Sequence, residues 1–198
     1  MKKKFSFFSL IVFVLALACI TSGCGKKKKQ EDVIKDVREN TLTINADHTI
    51  REIACQDFSD VSYNISGLEQ EIKDQVEAYC GEHGAGAVTL VQYDEENKFV
   101  RVALDYKSLR DYNGFNGTDF ADEGVSQVPA EEQLIDLGGK AATASDVLRD
   151  SFHAFRLDGQ YNLTINGEII YYNSHVTLGS SGNKATTDGM GEAIIIYQ

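Results

Sequence analysis

The sequence is poor in the residues that usually disclose a chemistry. It has no tryptophan, one proline (Pro129), four cysteines and four histidines. The histidines, His48, His83, His153 and His175, stand singly and no H-E-x-x-H occurs, which argues against a zincin-type hydrolase. No G-x-S-x-G is present either, so the nucleophile elbow of an α/β-hydrolase is missing. Basic residues are scarce past residue 40. From Thr41 onward 10 basic side chains stand against 26 acidic ones, a formal balance of −16. Nucleic-acid binding rests on cationic neutralisation of phosphate, so this body is of the wrong sign for it.

What is present begins at the N-terminus. Lys2 to Lys4 precede an apolar stretch at residues 5–20, "FSFFSLIVFVLALACI", and the small-residue run "TSGC". A charged, then apolar, then small-residue order is that of a secretory signal. The apolar stretch falls short of the roughly 20 residues that span a bilayer. "TSGC", Thr21 to Cys24, resembles the lipobox of bacterial lipoproteins, in which the thiol receives diacylglycerol and the chain is cut before the cysteine. Thr21 stands where that family carries an aliphatic residue, Cys19 in "ALAC" is a rival site, and an uncleaved anchor or free secretion is the remaining reading. The resemblance implies a signal peptide over residues 1–23, lipid attachment at Cys24, and a location on the extracytoplasmic face of the cell membrane. Two acyl chains suffice for stable anchoring. Lys26 to Lys29 then either sit against an anionic surface, each adding about 1 kcal/mol, or form a solvated linker that their charge keeps from collapsing. Residues 24–40 read as a flexible tether, basic and then acidic.

Residues 41–198 read as one α+β domain, or as two sub-lobes at 41–125 and 126–198. "TLTINADHTIREIAC" alternates about "ADHT" and predicts a β-hairpin. "SGLEQEIKDQVEAYC" places Leu68, Ile72, Val76 and Tyr79 at helical spacing, with Ser66 and Glu69 as a capping box and Gly81 and Gly84 at the end. "AVTLVQYDEENKFVRVALDY" predicts two strands about a turn at Asp94 to Asn97, with Val100, Val102, Leu104 and Tyr106 on one face. "SLRDYNGFNG" predicts a second helix opened by Ser108. The first half is thus ββα-ββα, with mainly antiparallel strands and two short helices on one face. Signals fade from Phe120 to Ala144, which reads as a connection. After Ser151 a β-meander follows, with "YNLTINGEIIYYNS" as a hairpin at Asn166-Gly167 and "EAIIIYQ" as a buried last strand. Ten Phe and nine Tyr supply the core in place of tryptophan.

Several motifs come close to a chemistry without reaching it. "GSSGNKATTDG" lacks the Gly-Lys-Ser/Thr of a phosphate loop, and its Ser181-x-x-Lys184 lacks a helix. Cys80 and His83 make half a zinc site with no second half. Glu95 and Glu96 sit in a turn as ordinary solvated acids. "DYNGFNGTDFADE" concentrates oxygen donors suited to a hard cation, and Asp111, Asn113, Asn116, Asp119, Asp122 and Glu123 are the candidate ligands, although the EF-hand pattern fails at Phe115. Cys55 and Cys80 are a candidate disulfide in an oxidising compartment, and the alternative is two reduced thiols.

The stretches "TLTINADHTI", "YNISGLEQEI", "LDYKSLRDYNGFNG", "NGEIIYYNSHVTL" and "AIIIYQ" resemble those of small surface lipoproteins of Gram-positive anaerobes. That resemblance implies the address and the α+β body, and it transfers no activity, cofactor or catalytic residue. The leading expectation is a non-enzymatic, membrane-anchored surface module that meets an envelope component or protein. A small-ligand or cation-binding lipoprotein is the alternative, and an envelope hydrolase the third reading.

Overall fold

The computed structural model describes residues 32–59, 64–147, 149 and 151–198. The signal, Cys24 and Lys26 to Lys29 lie outside the described residues. No helix among the described residues is long and apolar enough to cross a membrane.

The chain is α+β. Strand β1 (Thr41–Ile44) and β2 (Ile50–Asp57) form the expected hairpin, turned at His48 with φ 61. Helix α1 (Leu68–His83) follows, then β3 (Val88–Glu96) and β4 (Phe99–Tyr106), joined by a two-residue turn with Asn97 and Lys98 both at positive φ. That turn falls later than the sequence suggested, because alternation continues through Asp94 and Glu95 opposite Arg101 and Val100. Helix α2 (Leu109–Asn116) completes the ββα-ββα half. Ser108 caps α2 by accepting from the Asp111 amide, and Gly117 ends it at φ 65. The expected capping box of α1 is not used: Gly67 is its N-cap and makes no side-chain bond.

The segment read as a connection holds β5 (Ala121–Gly124), β6 (Gln133–Asp136) and β7 (Ala141–Thr143), with short 3-10 turns at Val125–Gln127 and Ala144–Val147. Strands of three or four residues rich in Ala, Gly and Asp show no period in sequence; pairing with neighbours creates them. The last strands are β8 (His153–Leu157), β9 (Asn162–Ile165), β10 (Ile169–Tyr172), β11 (Val176–Leu178), β12 (Lys184–Thr187) and β13 (Ala193–Tyr197).

These strands make two sheets, ordered β11-β12-β9-β1-β2-β4-β3 and β5-β8-β13-β10-β6-β7. All pairings are antiparallel except β1 with β9. The second half therefore contributes to both sheets, and β9 beside β1 ties the two halves together. The hairpin expected at Asn166-Gly167 is replaced by a crossing from one sheet to the other. Neither residue adopts the positive φ that a type I′ turn requires. Asn166 N–H donates to Ile44 and Glu168 N–H to Gln198, so the turn is held between β1 and the end of β13.

The main core lies where the inner faces of the two sheets meet the helices, with Leu42, Ile50, Leu104, Phe155, Ile169 and Ile195 among its buried members. Strand β13 is buried along its whole length because Ile194 and Ile196 serve a second core on the other face of their sheet. A third cluster covers the outer face of the first sheet. There Ile34, 1% exposed, packs with Ile53 and Ala103. Gln92 Oε1 accepts from the Val33 amide, and Arg101 Nε donates to the Val37 carbonyl. The part of the expected tether from Asp32 onward thus belongs to the folded body, since its apolar residues cover a face that would otherwise be wet.

Candidate functional site

Alternation along β2 sends Ile50, Glu52 and Ala54 to the inner face and Arg51, Ile53 and Cys55 to the outer one. Arg51 meets Asp105, its register partner, through two hydrogen bonds of 2.6 and 2.7 Å. Glu52 instead enters the core and is 5% exposed. Its register partner is Leu104, and Tyr106 stands two residues further along β4 on the same face. The Tyr106 hydroxyl donates to Glu52 Oε2 at 2.8 Å.

Helix α2 supplies the other half of the site. Tyr112 and Asn116, four apart, project from the same face of the helix. Asn116 Nδ2 donates to the Tyr106 hydroxyl at 3.0 Å, and the Tyr112 and Tyr161 hydroxyls lie 3.3 Å apart. Above Glu52 is a cavity of about 230 Å³. Glu52, Ala54, Val102 and Leu104 line it from the sheet; Ile72 and Gln75 line it from α1; Tyr112, Phe115 and Asn116 line it from α2. Gly114, Asn116 and Gly117, all exposed, place its opening beside α2.

Burial raises the Glu52 carboxyl to about 7, against which hydrogen bonds from Tyr106, Tyr112 and Asn116 act in the opposite sense. Desolvation also pushes the Tyr106, Tyr112 and Tyr161 hydroxyls up, so they stay protonated and serve as hydrogen-bonding groups. The cavity is therefore an aromatic and aliphatic chamber with one group that changes charge near neutral pH. No lysine, arginine, histidine or second carboxylate is among the lining residues. A pair of carboxylates of the kind that cleaves glycosides is not assembled there.

The sequence-derived cation ligands are not gathered around one point. Asp111 holds the Ser108 cap, and Asn113 binds Phe120 and Thr118 to close the loop after α2. Asn116 serves Tyr106; Asp122 accepts from the Tyr197 hydroxyl at 2.8 Å; Glu123 pairs with Arg156. Asp119 is exposed. Among the described residues no group of three or more His, Cys, Asp or Glu could hold a metal ion.

The candidate disulfide is not formed, and both thiols are free. Cys55 packs on the outer face beneath residues 33–37, whereas Cys80 packs against the main core and its thiol donates to the Val88 carbonyl at 3.2 Å. A hollow beside Cys55, about 370 Å³ in volume, is larger than the Glu52 cavity. Its polar groups are mutually occupied: Asn40 takes the Cys55 amide, Glu39 takes Asn162, and Thr187 takes the Tyr161 amide. We therefore place the candidate site at Glu52.

No protein family, curated protein or solved structure matches the chain.

Sequence reasoning passed over Glu52. The available signal was its phase: it falls on the Ile50 and Ala54 side of β2, where an apolar residue is the ordinary choice. Asn116 was singled out as a cation ligand, and the structure gives it a different task in the same neighbourhood.

Proposed function

We propose that this chain is a non-enzymatic, lipid-anchored extracytoplasmic module whose body binds a small molecule in the Glu52 cavity. The observation that carries this reading is a carboxyl buried at the floor of an open chamber with apolar and aromatic walls. Cores do not ordinarily retain such a group beside unfilled volume, because both the burial and the void are unfavourable. Ligand sites combine apolar walls with a few converging polar groups. The leading expectation, a module for a macromolecular partner, is replaced here by its alternative because no feature of the described surface argues for a partner as specifically. The anchor at Cys24 and the extracytoplasmic address rest on the N-terminal sequence pattern alone.

The test is the thermal midpoint of the lipidated full chain in detergent, measured against small-molecule panels alongside Ala54→Leu. Ala54 lines the cavity, and the added carbons of leucine take up less than its volume of about 230 Å³. A ligand at about 100 times its Kd adds roughly 2.7 kcal/mol, an upward shift of some 5–10 °C at this size. Compounds that stabilise the native chain and not Ala54→Leu are expected. Equal responses in both proteins would remove the cavity from consideration. The address is tested with Cys24→Ala: the variant is expected to lose lipid modification, and unchanged modification would overturn the assignment.

A further inference from the structure

We propose that the ligand of this cavity is a small organic amine in its ammonium form, seated with its nitrogen on the Glu52 carboxylate. This rests on the ligand-binding reading and adds the chemical class. The carrying observation is a comparison between two residues. Only two charged residues are buried among the described ones, Glu52 and Arg101. Arg101 meets the carboxylates of Asp94 and Glu96 and the Val37 carbonyl. Glu52 meets only uncharged donors, the Tyr106 hydroxyl with Tyr112 and Asn116, and no cationic side chain lines its chamber. A buried charge without an opposite partner is unfavourable, and an arriving ammonium supplies that partner.

The walls fit the rest of such a molecule. Ile72, Val102 and Leu104 give an aliphatic side, while Tyr112, Phe115 and Tyr161 line it with aromatic rings, a kind of group that attracts cations. Size sets a second bound. A cavity of about 150 Å³ takes benzene; by proportion the 230 Å³ found here suits roughly nine non-hydrogen atoms. The acidic body, with its formal balance of −16 from Thr41 onward, concentrates cations at the surface and repels anions. A bare divalent ion is a poor occupant because one carboxylate cannot complete its oxygen shell.

Three probes of similar size separate the classes: phenethylamine, 2-phenylethanol and phenylacetate. Binding to the full chain in detergent is measured by calorimetry at pH 8 and pH 6, in two buffers of different ionisation enthalpy. The amine is expected to bind about tenfold or more tightly than the alcohol at pH 8, as a charge-assisted hydrogen bond provides. Phenylacetate should be weakest. Glu52→Gln should abolish the preference for amine over alcohol while leaving alcohol binding in place. At pH 6 amine binding should release a proton from Glu52, seen as buffer-dependent heat that Glu52→Gln lacks. Glu52→Asp, which keeps the charge, should retain a preference for the amine and guards against a fold defect in the glutamine variant.

If amine and alcohol bind the native chain equally, or if the preference survives Glu52→Gln, the ammonium assignment is overturned and the cavity reading stands. If none of the three probes binds the native chain, the cavity reading itself falls and takes this assignment with it.

Discussion

The hydroxyl of Tyr106 on β4 donates to the carboxylate of Glu52 on β2, a diagonal step across two paired strands with 2.8 Å between the oxygens. Asn116 of α2 donates in turn to the same hydroxyl, so helix and sheet meet at one buried polar chain. Such a chain fixes where the carboxyl points and how readily it ionises.

The folded protein should lose stability as pH rises across the Glu52 titration. The folded carboxyl titrates at about 7 and the unfolded one near 4.5, as an ordinary glutamate does. Between these values the native state holds a proton that the unfolded state has released. Stability then falls with rising pH through this window, by an amount on the order of 3 kcal/mol. Glu52→Gln lacks that slope. Urea unfolding at pH 5 and pH 8 should show the glutamine variant gaining relative to the native chain at the higher pH. The comparison also cancels Asp47, Asp57, Asp146 and Asp188, whose carboxyls are shifted down and act with the opposite sign. A pH-independent difference between the two proteins would contradict the placement of Glu52.

Tyr106→Phe should move that titration upward. The hydroxyl stabilises the ionised carboxylate, and removing it leaves burial less opposed. Carbon-13 NMR of labelled glutamate should place the Glu52 midpoint higher in the variant, with a stability loss of about 1–2 kcal/mol for the broken hydrogen bond. A midpoint at or below that of the native chain would mean that Tyr106 does not control Glu52.

Ile34→Ala should destabilise the body by about 2–4 kcal/mol, since it opens a cavity between residues 32–38 and the outer face of the first sheet. Denaturant unfolding measures it. A change below about 0.5 kcal/mol would show that residues 32–38 do not seal that face.

Cys55 and Cys80 should both accept a thiol alkylating agent after unfolding without reductant. Burial raises the Cys55 thiol to about 11, so in the native chain it should react slowly at pH 8. Peptide mass mapping reads both results. A Cys55 to Cys80 crosslink in the unreduced protein would contradict the separation of the two residues by the first sheet.

Much of the first half was legible because its period is long and regular. Val100, Val102, Leu104 and Tyr106 alternate over eight residues, and α2 carries its own start and stop in Ser108 and Gly117. The β5, β6 and β7 strands were hidden because they are short and owe their shape to neighbours rather than to propensity. Asn166-Gly167 misled for a related reason: a dipeptide that favours a tight hairpin was overruled by bonds to Ile44 and Gln198, residues remote in sequence. The site was legible only in fragments. Its carboxyl, its tyrosines and its amide come from β2, β4, α2 and the residue before β9, and no local spacing links them.

The parallel pairing of Thr41–Ile44 with Asn162–Ile165 carries a consequence for assembly. As the chain emerges, β1–β2 and β3–β4 can form as local hairpins that then join through β2 and β4, yet β1 keeps an unpaired backbone edge until more than a hundred further residues have followed it. Loop closure on that scale is slow relative to hairpin formation. The nascent first half is thus a sheet with an open seam, exposed to pairing with other chains until β9 arrives to zip it shut.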